Sequence, residues 1–130
     1  MDKERKYCLV PVSIGELWDK YSILMIKLEK IKDTEKRNCV LLEIKELEPL
    51  LDEYPLDFES QLELVDCNHC LWNVEDAIRV KERNKTFDDE FIQLARSVYI
   101  TNDRRADIKK RINGYFQSNI VEVKSYQPYL

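Results

Sequence analysis

Three short stretches of the chain hold the side chains that could do chemistry. Glu16 and Asp19 stand three residues apart, which puts both carboxylates on one helix face, with Lys20 beside them. Glu75, Asp76 and Arg79 form a second group, and Asn102, Asp103 and Arg105 a third. Ionisable groups inside a helical protein are expensive unless paired. Such a set is therefore either an ion network that holds helices in register or a ligand site. As a ligand site, its arginines would grip a phosphorylated or anionic metabolite, and its hard carboxylate oxygens would suit magnesium.

Cys67-Asn68-His69-Cys70 has the spacing of a redox dithiol or of half a zinc site. It falls in the middle of a helical pattern, where neither motif belongs, and Cys8 and Cys39 are too isolated to complete a zinc site. The expectation is two small apolar residues on one helix and no bound metal. The chain has one histidine, no pairing of a nucleophile with a base, and no glycine-rich phosphate loop.

The elements that must position these groups are helices. The 130 residues include only two glycines and four prolines, too few turn formers for a β-sandwich or barrel. Charged residues make up 35% and apolar ones 44%, the balance of long amphipathic helices in a single domain spanning 1–130. The net charge of −4 offers no general attraction to nucleic acid or to an anionic membrane. Arg104, Arg105, Lys109, Lys110 and Arg111 gather near a helix C-terminus, where the macrodipole favours cations anyway. The N-terminus has no apolar signal region, and the longest apolar run, 21–26, is far short of a membrane span. A cytoplasmic protein with reduced cysteines is expected.

Ser13 with Glu16 reads as a capping box for a first helix that carries Leu17, Trp18, Tyr21, Leu24, Met25, Leu28 and Ile31. Ile23 and Ile26 would form a second apolar face on that helix, exposed and suited to a homodimer. Asp33-Thr34 starts a second helix running to about Asp52, with Val40, Leu41, Ile44, Leu47 and Leu51 inward and Pro49 ending or kinking it. A third helix runs from about Leu56 to Lys85, and a fourth, capped at 86–89, ends near Asn113-Gly114. The two long helices should form an antiparallel hairpin on which the two shorter ones pack, making a small all-α bundle. The extended termini, 7–12 and 120–124, are candidates to pair with each other.

The inward stripe of the third helix reads Phe58, Leu62, Val65, His69, Trp72, Asp76, Arg79. That of the fourth reads Phe91, Ala95, Val98, Asn102, Arg105, Ile108, Ile112. Polar residues interrupt both over the same part of the hairpin. Asp76 is expected to be a buried member of an ion network, and Arg105 a ligand contact.

Pro11-Val12-Ser13-Ile14-Gly15-Glu16-Leu17-Trp18-Asp19-Lys20 resembles the opening of an uncharacterised family of short bacterial and phage proteins. The resemblance continues through Asn68, Leu71-Trp72, Glu75-Asp76 and Arg79–Glu82, and ends in Tyr99 with Thr101-Asn102-Asp103-Arg104-Arg105. It implies no activity. Glu43–Glu46 with Glu16–Asp19 is also similar to the magnesium-holding pairs of all-α nucleoside triphosphate pyrophosphohydrolases, though in reverse order along the chain. Arg79, Arg96 and Arg105 offer a fainter likeness to helical mutases that grip a dicarboxylate. The main expectation is a non-enzymatic interaction or assembly module acting as a homodimer, with no cofactor. The alternative is a magnesium-dependent enzyme or binder for an anionic metabolite.

Overall fold

Each helix opens on a side chain that accepts a hydrogen bond from an otherwise unpaired amide of its first turn. Ser13 takes the Glu16 amide at 3.0 Å, Asp33 that of Lys36 at 2.9 Å, Asp57 that of Ser60 at 2.9 Å, and Asp88 that of Phe91 at 3.0 Å. The helices are α1 (Ile14–Lys30), α2 (Thr34–Glu53), α3 (Phe58–Arg83) and α4 (Asp89–Phe116). The computed structural model describes residues 6–129, and no strand occurs among them. The two extended termini therefore do not pair as strands. Different helices hold them. Tyr7 donates to Glu46 on α2, whereas Glu122, Lys124 and Tyr126 reach Lys109, Asp107 and Asp103 on α4.

α1 is the centre of the molecule, packing on α2, α3 and α4, while α2 packs on α1 alone. The main core joins Leu17 and Trp18 of α1 to Leu51, Leu56, Leu64, Cys67, Ile108 and Ile112, and a smaller cluster joins Leu24 to Val40 and Ile44. Trp18 also donates its indole N–H to the Tyr54 carbonyl at 2.8 Å, tying the end of α2 back to the start of α1. Arg111–Glu63, Arg104–Cys67 and Lys81–Glu90 contacts link α3 to α4 along their length.

Several expectations need correction. Phe58 and Leu62 are exposed, at 73% and 45%, and the buried face of α3 is Leu64, Cys67, Asn68 and Leu71. The stripe is thus turned by about one residue from the apolar count, because the core of α3 accepts Cys67 and Asn68 in place of larger apolar groups. Leu41 is exposed on α2. Pro49 neither ends nor breaks that helix, which continues to Glu53. Pro49 faces solvent while Leu51 two residues on is buried, so packing beyond the proline outweighs the single lost hydrogen bond. Asn113-Gly114 is not a C-cap either, since α4 runs on to Phe116 and Gln117 takes the left-handed turn at φ 54°. Ile26 is 2% exposed and Ile23 half-buried, so these two do not form the exposed apolar face expected of them.

The two long helices outrun their cover. Buried positions stop at Leu71 on α3 and resume at Thr101 on α4, and none of residues 72–100 is buried.

Candidate functional site

Asp19 is fully buried, at 0% exposure, at the point where α1 crosses both long helices. Arg105 of α4 grips it with two parallel bonds, Nε to Oδ1 at 2.9 Å and Nη2 to Oδ2 at 2.5 Å. Asn68 of α3 donates Nδ2 to the same Oδ1 at 2.9 Å and to Ser22 Oγ at 2.7 Å, while Ser22 donates to the Asp19 carbonyl. One carboxylate thus ties three helices together, with its lone pairs filled by a matched guanidinium and an amide. The bonded carboxylate raises the Arg105 pKa above that of an ordinary arginine, against the opposing effect of burial.

One turn nearer the N-terminus of α1, Lys109 Nζ lies between Glu16 at 2.6 Å and Glu122 at 3.1 Å. Burial pushes the Lys109 ammonium toward neutrality, but the bonds to both carboxylates outweigh it and its pKa is raised. Glu16 therefore spends its carboxylate on α4 rather than reaching back to complete a capping box. Next to this pair, the Gly15 amide donates to Asn113 Oδ1 at 2.6 Å, so α4 itself caps α1. Asn113 is 1% exposed, and its Nδ2 finds no protein partner among the described residues.

Beside the Asp19 anchor, α1, α3 and α4 enclose a groove of ≈ 520 Å³ lined on one side by Ile23, Asn68, Trp72 and Asp76 and on the other by Asn102 and Arg105. Glu75 and Arg79 complete its rim, 3.7 Å apart. Asn102 is exposed, with its Oδ1 3.5 Å from Arg105 Nη1. Of the sequence-derived candidates, the groove brings together Glu75, Asp76, Arg79, Asn102 and Arg105, and Asp19 lies beneath them. It does not gather Glu16, Lys20 or Asp103. Lys20 pairs with Glu43 at 2.7 Å, and Asp103 bonds the Tyr126 hydroxyl.

The two carboxylate pairs proposed for magnesium do not converge. On α2, Glu43 is held by Lys20 and Glu46 by Tyr7, while Glu16 and Asp19 turn to Lys109 and Arg105 on α4. Among the described residues no three His, Cys, Asp or Glu side chains stand where one metal ion could bind them. His69 points away from the cysteines to Glu29 on α1, at 2.9 Å, and this bond lowers the Glu29 pKa. Cys67 and Cys70 are free thiols directed at Thr101 of α4.

A family model, described only as a family of unknown function, matches residues 8–130. The chain belongs to this family, DUF6165. No curated protein and no solved structure matches it. The DUF6165 match spans all four helices, so the Asp19 anchor and the groove both lie within the family's domain. No helix of the described residues is long and apolar enough to cross a membrane.

The residues that periodicity missed are Ser22, Asn68, Lys109 and Asn113. Each is polar, buried and bonded to α1 or across it. Lys109 and Asn113 share a helix face with Arg105 at four-residue steps, a signal that assigning them to a basic patch and a helix end obscured.

Asp76 is not a buried member of an ion network: it is exposed with no ion pair among the described residues, whereas the half-buried Arg105 pairs with Asp19. In dilute solution Asp76→Ala should change stability by less than about 0.5 kcal/mol. Arg105→Ala should cost about 3 kcal/mol by stranding the Asp19 carboxylate. Urea denaturation of both variants measures this, and equal losses would show that the anchor is not buried as described.

Proposed function

We propose that this DUF6165 chain is a non-enzymatic interaction module that works as a homodimer, built on an antiparallel α3–α4 hairpin. One observation carries the reading: none of residues 72–100, the outer half of the hairpin, is buried. Two helices alone bury too little to be stable in isolation, so this arm calls for a partner. It exposes Val80, Phe87, Ile92, Tyr99 and Ile100 along its length. The free thiols Cys8, Cys39, Cys67 and Cys70 support a reducing, cytoplasmic setting.

The second reading, a site for a phosphorylated or anionic metabolite, draws on the groove, whose ≈ 520 Å³ is of small-molecule size. Against it, Arg105 is already neutralised by Asp19, and an anion would face Glu75 and Asp76 with Arg79 alone to match it. Sedimentation equilibrium at tens of micromolar chain should give about twice the 15.6 kDa monomer mass. A monomer throughout, with melting shifted upward by magnesium and inorganic pyrophosphate, would replace the first reading with the second.

A further inference from the structure

The outer half of α3 carries a seam with the spacing of a coiled coil. Trp72, Asp76, Arg79 and Arg83 follow one another at steps of four, three and four, which aligns them on one helix stripe. Trp72 is half-buried and the other three are exposed. Arg79 has only the 3.7 Å contact to Glu75, and Asp76 and Arg83 have no ion pair among the described residues. The stripe is acidic at its N-terminal end and basic at its C-terminal end, with Glu75 and Val80 flanking its centre.

We infer that this seam is the homodimer interface, with α3 of one subunit lying antiparallel on α3 of a second copy about a two-fold axis between Asp76 and Arg79. The inference rests on the homodimer reading above and names its surface. The two-fold places Asp76 against Arg79 of the partner subunit, and Trp72 against Arg83 of the partner subunit. Both contacts occur twice, as an isologous interface requires. The first is an ion pair and the second a guanidinium over an indole face. A parallel arrangement would set Asp76 on its own copy and Arg79 on its own copy, so the charge order selects the antiparallel one. The occupant is a second copy because the stripe is complementary to itself: the chain already carries the partner surface that another protein would have to supply. Trp72, Asp76 and Arg79 also line the groove between α1, α3 and α4, and a helix on the seam would close it over Ile23 and Leu71.

The test is sedimentation velocity on the full chain with three variants: Asp76→Arg, Arg79→Asp and the double exchange. Both positions are on the surface, and circular dichroism checks that each variant keeps its helices. Each single variant should weaken the dimer roughly tenfold or more, because it creates two like-charge contacts. The double exchange restores both pairs and should recover most of the affinity. A dimer that no variant weakens overturns the seam and leaves the homodimer reading standing. Loss in the singles without recovery in the double overturns the antiparallel register. A monomeric wild-type chain overturns the seam and the homodimer together.

Discussion

Asp19→Ala should lose about 3 kcal/mol or more of unfolding free energy, as much as any single polar substitution in the protein. The carboxylate sits at 0% exposure and receives Arg105 at 2.5 and 2.9 Å and Asn68 at 2.9 Å. Removing it leaves the guanidinium and the Asn68 amide facing a void between three helices, and breaking a buried pair costs more than the pair itself contributes. The cost is held toward the lower end of the usual range because the Arg105 side chain keeps 26% of its exposure and can turn toward solvent. The Asp19→Ala/Arg105→Ala double variant should cost less than the two singles together, with a coupling of about 2 kcal/mol. Urea denaturation of the four proteins measures the cycle. An Asp19→Ala loss below about 1 kcal/mol would mean the carboxylate is not the buried link between α1, α3 and α4.

The second large effect is at Gly15. A Cβ there would lie 2.6 Å from the Lys109 carbonyl oxygen, 2.8 Å from Asn113 Oδ1 and 3.1 Å from the Lys109 Cα. Two of these atoms are helix backbone and cannot turn aside, so α1 and α4 must separate. That separation also stretches the Gly15–Asn113 bond and the Glu16–Lys109 pair. Gly15→Ala should cost about 3 kcal/mol despite replacing a poor helix former with the best one. Gly114→Ala is the control. It lies inside α4 with nothing within 4 Å of the added methyl, and should gain about 0.5–1 kcal/mol. Thermal unfolding of the two variants reads the difference, and a Gly15→Ala protein as stable as the wild type would mean the helices do not approach this closely.

Asp76 and Arg105 show where sequence reasoning held and where it failed. Both were found because each breaks an apolar pattern, and both do line one groove. The stripes place both inward, yet Asp76 is exposed, because an interrupted stripe looks the same whether the polar group is covered by a third helix or left beyond its reach. Asp19 of α1 binds Arg105 while Asp76 stays exposed, and α1 contributes nothing to the local pattern of α3 or α4. The face of α3 was misplaced for a related reason: Phe58 and Leu62 are large and apolar, yet Cys67 and Asn68 take the core because α1 offers them Leu17, Asp19 and Ser22.

Local chemistry settles what depends on neighbours along the chain. Ser13, Asp33, Asp57 and Asp88 each satisfy amides within three residues, so each helix start is written in a few adjacent side chains. The scarcity of glycine follows from composition alone and argues against a β-sandwich or barrel. The crossing of α1 over the two long helices is different in kind. It rests on contacts between residues 49, 86 and 98 positions apart, at Asn68–Asp19, Arg105–Asp19 and Gly15–Asn113. No local rule links such residues. A carboxylate at position 19 becomes an anchor only when folding brings a guanidinium and an amide from two other helices to it and excludes water from all three.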